Sequence, residues 1–373
     1  MKRLRIAHLT SVHQAEDVRI FHKEARTLAA AGHEVFLVAP GQFGEVTKEG
    51  VHFRPVKPPS SRLERILHTG SLVRRRALAL DADVYHIHDP ELIVQGVLLK
   101  LRGKSVIYDV HEDLPKQVLT KTWIPGMVRP LIAFGTKIVE KWAFGIFDEL
   151  VAATPSIKRR MPRTKGYLVQ NFPLLDELMS PNTVPYSDRP PNLVYMGGLS
   201  PARGAEEMVR MLSLLPPELG ARLKLATKLS ETYRQFLSRF PGWEFVDYLG
   251  WRSREELRDL LGSVRLGLVL FHPVPNHVEA QPNKLFEYMS AGLPVVASDF
   301  PLWREIVEGT GCGILVDPRD ISAIAEAVTW ILRNPAQAEE MGRRGVSAVK
   351  ERYNWDHEAR TLLQCYEHVA RIR

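Results

Sequence analysis

Cysteine is nearly absent: Cys312 and Cys365 are the only two in a chain of 373 residues. Two are too few for a disulfide framework or a cysteine metal site, so both read as packing residues. Also missing is any uncharged apolar run approaching the roughly 20 residues that a membrane helix needs. The start, MKRLRIAHLTSVH, holds a short strand-like run from Leu4 to Leu9 with no cleavage site behind it, so it does not read as a signal peptide. A cytosolic location is the expectation. There is no short-period repeat and no low-complexity tract. There is no G-x-G-x-x-G, so NAD is not an expected cofactor. No recognition motif accompanies the basic charge, so nucleic acid is not an expected partner.

What remains is the composition of a globular protein, 45% hydrophobic and 25% charged, at a length that usually makes two domains. The net charge of +7 is unevenly spread. Residues 1–170 hold 27 Lys+Arg against 17 Asp+Glu, a balance of +10, and the rest balance to −3. Charge alone suits anionic lipid, a phosphorylated acceptor or nucleic acid meeting the first half, and the missing recognition motif disfavours the last.

The first half alternates short apolar runs (LRIAHLTS, EVFLVAP, VHFRPV, VYHIHDP, VIYDVHED, LVAATP) with helical stretches, among them Arg19 to Ala31 stopped by Gly32. Near-continuous apolar strands between helices predict a parallel, doubly wound sheet covered on both faces. The stretch from Phe172 to Asn192 breaks the pattern with Pro173, Pro181, Pro185, Pro190 and Pro191, and reads as a linker. A second series follows: NLVYMGG, LKLAT, WEFVDYLG, LGLVLF, PVVAS and CGILVD. The expected fold is α/β, two Rossmann-like doubly wound domains with a cleft between them. The boundaries are 1–172, a linker at 173–191, and 192–355, with an amphipathic helix over 356–373.

The stretch from Glu279 to Asp299, EAQPNKLFEYMSAGLPVVASD, is the most informative. Pro282 suits a first helical turn, Asn283 to Met289 read helical, Gly292 ends the helix, and PVVAS is a buried strand. Free N–H groups at a helix start suit a phosphate. Glu279 lies before that start and Glu287 inside it, so carboxylates bracket the anion position. A nucleoside diphosphate sugar, with hydroxyls on both sides of its diphosphate, fits such a site. The bland alternative is a solvated loop glutamate and a surface helix glutamate.

This block resembles the Glu-x7-Glu motif of retaining glycosyltransferases of family four, which have the two-domain GT-B fold. The resemblance covers nearly the whole chain. It implies that Glu287 holds the ribose hydroxyls, that Glu279 positions the donor sugar, and that Asn283, Lys284 and Leu285 lie at the phosphate-binding turn. It also implies that the last helix returns to the first domain, which would bind the acceptor. In YMGGLSPARGAEEM, Gly197 and Gly198 allow close approach of a ligand, and Arg203 stands where relatives carry a lysine for the diphosphate. Relatives carry an arginine where this chain has Gly198, and Lys284 is the residue expected to replace that charge. The resemblance gives His111 a contact with the donor sugar and implies front-face attack with retention and no metal. The donor is expected to be UDP- or GDP-linked, and the acceptor a glycan or lipid-linked glycan of surface polysaccharide assembly.

Two other features are open to more than one reading. VYHIHDPEL and VIYDVHEDLP bring His86, His88, Asp89, Asp109, His111, Glu112 and Asp113 to adjacent strand ends. These suit structural hydrogen bonds, or a metal-dependent hydrolase built on His86, His88 and His111. A catalytically silent nucleotide-sugar-binding module is a further alternative, raised by Gly198. RLERILHTGSLVRRRALAL carries Arg62, Arg65, Arg74, Arg75 and Arg76 on an amphipathic helix, and TWIPGMVRP presents Trp123, Ile124, Met127 and Val128. Arg74, Arg75, Arg76, Trp123 and Met127 are candidate contacts to an acceptor or to an anionic membrane surface, with a solvated helix face as the alternative.

Overall fold

The computed structural model describes residues 3–42, 44–61, 64–121, 124–175, 177–178 and 184–372. The chain forms two compact units: Met1–Asn171 with Trp355–Arg373, and Phe172–Asn354.

The first unit is built on eight strands: β1 (Arg5–Leu9), β2 (Glu34–Pro40), β3 (Val46–Lys48), β4 (Val51–Val56), β5 (Val84–Ile87), β6 (Ser105–Val110), β7 (Glu149–Ala152) and β8 (Tyr167–Leu168). Their order is β3-β4-β2-β1-β5-β6-β7-β8. Each of the six apolar runs forms a strand, and β5, β6 and β7 are buried at every position, as helices on both faces require. All pairings are parallel except β3 with β4, a departure from the expected all-parallel sheet. β3 is fully exposed, and its turn uses Glu49 and Gly50, both at positive φ (51° and 80°), as a two-residue hairpin needs.

Asp17 caps the helix expected after β1, accepting from the N–H groups of Arg19 and Ile20. Its first turns, Val18–Ala25, are wound as a π-helix and bury Arg19, Lys23 and Glu24 before Arg26–Ala30 continues as α-helix. The final helix, Trp355–Ile372, packs on this unit through Leu362, Cys365, Tyr366 and Val369. Trp355 Nε1 donates to Thr27 Oγ1 at 2.9 Å, and Glu358 accepts from the Gln170 N–H at 2.7 Å.

The second unit has six parallel strands: β9 (Asn192–Met196), β10 (Arg222–Ala226), β11 (Val246–Tyr248), β12 (Leu266–Val269), β13 (Val295–Ser298) and β14 (Gly313–Val316). Their order, β11-β10-β9-β12-β13-β14, reverses direction between β9 and β12. Ligands of open α/β sheets bind beyond the strand ends at such a switch point. The described part of the proline-rich stretch is not a free linker. Phe172 packs edge-to-face on Phe286 and Tyr353, Leu178 is buried, and Tyr186 Oη donates to the Arg265 carbonyl at 2.7 Å. Prolines bend this segment while its apolar residues join the core of the second unit. Pro181 lies outside the described residues.

Among the described residues no helix is long and apolar enough to cross a membrane. Cys312 and Cys365 are both buried and unpaired with each other, as packing residues should be.

Candidate functional site

In the second unit the helix Asn283–Ser290 follows the β12 strand end, with Pro282 at its N-cap rather than inside its first turn. No side chain caps that terminus. The helix is locked in place by Tyr288. The Met196 N–H donates to Tyr288 Oη at 3.1 Å, and the ring lies on Gly267, where a Cβ would sit 2.2 Å from it. Glu279 ends the short helix Pro275–Val278, and the loop beyond it is held by Trp303 Nε1, which donates to the Ala280 carbonyl at 2.8 Å.

Lys284 points inward from the first turn and is almost wholly buried. Its Nζ donates to Tyr195 Oη at 3.1 Å and lies 4.5 and 5.0 Å from the ring centroids of Tyr195 and Phe271. Burial, with Arg203 nearby, lowers its pKa to about 7. Arg203 lies over the Phe271 ring, 5.4 Å from its centroid, and its Nη1 donates to the Gly198 carbonyl at 2.8 Å. Tyr195 Oη donates to the same carbonyl at 2.6 Å. Tyr195 thus joins Lys284 to the glycine loop, and the two cations share the Phe271 ring.

Gly198 sits against the tip of Arg203. A Cβ there would sit 2.7 Å from Arg203 Nη1, so the guanidinium of Arg203 fills the space where a side chain at 198 would begin. Gly204, at φ +72°, follows, and a Cβ there would collide with the Leu270 carbonyl oxygen at 2.2 Å. That close approach, with the His272 N–H donating to the Ala202 carbonyl at 2.9 Å, ties the Arg203 loop to the β12 end.

Glu287 faces a partner that sequence reasoning missed. Arg254 donates to Glu287 at 2.8 Å and to Glu177 at 2.9 Å. Arg254 opens a helix whose capping box, Ser253 with Glu256, is legible in the sequence. Its partner choice is not legible there, because Glu177 and Glu287 are distant in the chain.

In the first unit the strand ends of β1, β5 and β6 carry a buried polar cluster. Arg19 donates twice to Asp109, at 2.8 and 2.9 Å. Burial alone would raise the Asp109 pKa, but Arg19 and His111 hold it well below the usual range. His111 Nε2 lies 2.9 Å from Asp109 Oδ2 and 3.2 Å from His88 Nδ1. Asp89 fixes the β1 loop by accepting from Thr10 Oγ1 at 2.8 Å and the Ser11 N–H at 2.6 Å. His86 and His88 are 0% and 2% exposed, against 15% for the His111 side chain. A hydrolytic metal needs an open coordination position, which two sealed histidines do not offer a substrate.

The basic helix is more tied down than its sequence suggests. Arg65 is bidentate on Glu91, Arg74 donates to Gln95 at 2.7 Å, and Arg76 is paired with Glu45. Arg75 is exposed. Arg62 and Trp123 lie outside the described residues, Ile124 is buried, and Met127 is 97% exposed. The apolar surface missed by sequence reasoning is the helix Arg129–Ile146. It buries Ala133, Glu140, Ala143 and Phe144 and exposes Leu131, Phe134, Ile138 and Trp142 beside Lys137 and Lys141.

Residues 18–169 match the family described as Glycosyltransferase Family 4, and residues 190–334 the family described as Glycosyl transferases group 1. The chain is similar to the phosphatidyl-myo-inositol mannosyltransferase of Mycobacterium tuberculosis, 37% identical over 315 residues, 78% of this chain and 75% of the relative. The chain belongs to glycosyltransferase family 4. Among solved structures, this glycosyltransferase is similar to a sucrose-phosphate synthase from Thermosynechococcus elongatus (TM-score 0.79, 18% identity, 100% of both chains). It is also similar to the Anabaena protein HepE solved with UDP and glucose (TM-score 0.74, 12% identity, 98% of this chain and 100% of that one). These place the glycosyltransferase in the GT-B class of α/β folds.

Proposed function

We propose that the chain transfers a hexosyl group from a UDP- or GDP-linked donor to an acceptor hydroxyl, with retention and without a metal at the diphosphate. The observation that carries this reading is the convergence of Arg203 and Lys284 on one aromatic shelf, Phe271, beside the uncapped start of the Asn283–Ser290 helix. Two cations and a helix dipole supply what a diphosphate leaving group needs. Glu287, oriented by Arg254, takes the ribose hydroxyls. Glu279 takes hydroxyls of the sugar, and His111 contacts the sugar near its 6-hydroxyl.

In this mechanism the bond from the sugar's anomeric carbon to the β-phosphate oxygen breaks, and the acceptor oxygen joins the same face of that carbon. The acceptor proton passes to the departing phosphate oxygen. Arg203 and Lys284 stabilise the negative charge that builds there. Stabilisation of developing charge is commonly the largest single contribution to catalysis.

The acceptor is proposed to be lipid-linked and met at an anionic membrane surface. Support comes from the +10 balance of residues 1–170 and from the apolar, lysine-flanked face of the Arg129–Ile146 helix. The name of the mycobacterial relative, whose acceptor is a phosphatidyl lipid, points the same way. A thermal-shift screen of nucleoside diphosphates and their sugars tests the donor class. The true donor raises the melting temperature with concentration, and a flat response to UDP, GDP and all their sugars would reject it.

A further inference from the structure

We propose that His111 selects donor sugars with a hydroxyl on C6 over their 6-deoxy counterparts. Its Nδ1 is the hydrogen-bond acceptor, and Asp109 is the positioning residue that holds the ring's proton on Nε2. The proposal rests on the reading above that His111 meets the sugar near its 6-hydroxyl. It adds which atom does so and what that atom requires of the donor.

The place of the proton follows from the distances. His111 Nε2 lies 2.9 Å from Asp109 Oδ2. Asp109 is ionised: burial opposes this, but Arg19, bonded at 2.8 and 2.9 Å, and His111 hold its pKa well below the usual carboxylate range. An imidazole lone pair so close to a carboxylate oxygen would be repelled, so Nε2 carries the hydrogen and donates it. Arg19 already supplies the counter-charge, and His111 has only a hydrogen bond to give. The neutral ring then has its bare lone pair on Nδ1.

The neighbouring histidines obey the same carboxylate. His88 Nδ1 faces Asp109 Oδ2 at 3.4 Å, and His88 Nε2 meets His8 Nδ1 at 2.9 Å. Burial lowers the pKa of both rings, His88 to about 4, so each is neutral and carries one hydrogen. With that hydrogen on His88 Nδ1, Nε2 accepts from His8. The spare nitrogens of His8 and His86, both Nε2, are buried without a hydrogen-bond partner, where no ligand reaches them. His111 Nδ1 also makes no hydrogen bond to the described residues, but it is not sealed. It belongs to a side chain 15% exposed, just beyond the end of β6. Of the histidines at 8, 86, 88 and 111, His111 alone offers a ligand a free ring nitrogen.

A bare acceptor nitrogen calls for an O–H or N–H group. Near C6 of a hexose the 6-hydroxyl supplies one. A 6-deoxy sugar sets a methyl there instead, which strips water from Nδ1 and gives nothing back. Sites that hydrogen-bond a substrate hydroxyl reject the analogue lacking it, because the partner is left unsatisfied.

Two measurements on the full-length chain test this. Long-range proton–nitrogen correlation NMR of isotope-labelled histidine at about pH 8, above the ordinary histidine range, reads the tautomer. The His111 signal, assigned by its loss in His111→Asn, should show Nε2 protonated and Nδ1 bare. Calorimetric titrations then compare UDP-glucose with UDP-6-deoxyglucose and GDP-mannose with GDP-6-deoxymannose. In the pair that binds, the 6-hydroxyl form should be at least about fivefold tighter. An asparagine amide stands where Nδ1 is, and a glutamine amide where Nε2 is. His111→Asn should therefore keep most of the preference. His111→Gln, which retains a partner for Asp109, should lose it; a merely structural role predicts the reverse. Should the variants fail to fold, the wild-type titrations and the wild-type spectrum decide. A proton on Nδ1, equal binding of the two sugars of a pair, or a preference kept by His111→Gln would each overturn the proposal. If none of the four donors binds, the donor reading itself fails and takes the 6-hydroxyl assignment with it, whatever tautomer the spectrum shows.

Discussion

Arg254 Nη1 lies 2.8 Å from Glu287 Oε1, and the same guanidinium reaches Glu177. The pairing fixes a carboxylate that would otherwise swing about its side-chain torsions. A carboxylate has about four lone-pair positions, so one bond from Arg254 leaves room for two ribose hydroxyls. Glu287→Ala should therefore weaken binding of the free nucleoside diphosphate as well as of the donor. Glu279→Ala should leave the free diphosphate nearly unaffected yet sharply lower turnover, because its proposed contact is with the sugar. Calorimetric titration of UDP or GDP separates the two. Equal weakening by both substitutions would show that the ends of the ligand are wrongly assigned.

Arg203→Ala should lower kcat by roughly 10²-fold or more, the scale of losing one leaving-group stabiliser. Lys284→Ala should be comparably damaging if the two cations share the diphosphate. Gly198→Arg should not add activity, because its Cβ would meet Arg203 Nη1 at 2.7 Å and the new side chain would compete with the native guanidinium for the same space. Steady-state kinetics check all three. Near-normal kcat/KM in Lys284→Ala would remove that residue from the site.

Lys284 makes the site sensitive to pH. With a pKa of about 7 it is partly neutral in the free protein at neutral pH, and a bound diphosphate would favour the ammonium. Binding should then take up a proton, and affinity should fall as pH rises above about 7 until the pKa of the complex is passed. In the ligand-free protein the sign is opposite for folding. The unfolded chain binds more protons between the lowered pKa and the ordinary lysine value, so this residue's burial costs less as pH rises through that window. Titrations of UDP or GDP in buffers of different ionisation enthalpy measure the uptake. An enthalpy independent of buffer at pH 8 would place no titrating lysine at the diphosphate.

At a membrane the exposed face of Arg129–Ile146 should matter more than the basic helix. Phe134→Ser with Ile138→Ser and Trp142→Ser should lower partitioning to anionic vesicles at least tenfold, since each apolar side chain buried in lipid contributes on the order of 1–3 kcal/mol. Replacing Arg74, Arg75 and Arg76 with serine should do less. Arg76 is already paired with Glu45, leaving the contribution of two arginines, about 2 kcal/mol. Co-sedimentation at low salt gives both values. If the arginine variant loses binding and the helix variant keeps it, the basic helix is the contact after all.

The sheets were readable because their strands are buried on both faces and so appear as continuous apolar runs. The helix at Asn283 was readable from Pro282 before it and Gly292 behind it. What escaped was long-range pairing. The hairpin strand β3 has no apolar pattern because it is exposed on both sides. The proline-rich segment after Phe172 looked like a linker because prolines hide periodicity, yet Leu178 and Tyr186 are core residues. Lys284 was legible as a candidate at the start of the Asn283 helix. Its aromatic cage of Tyr195 and Phe271 was not, since each looks like an ordinary strand residue. His86 and His88 lie two residues apart and read together in the sequence, while His8 and Glu24 join them only through strand register and helix packing.

The most direct test of the account is the anomeric configuration of the product, followed by proton NMR while the enzyme works on a lipid-linked acceptor in excess EDTA. Retaining transfer with a cationic diphosphate site predicts continued turnover and a product linkage of the same anomeric configuration as the donor. A product of inverted configuration, or turnover that stops in EDTA and returns with a divalent ion, would contradict it.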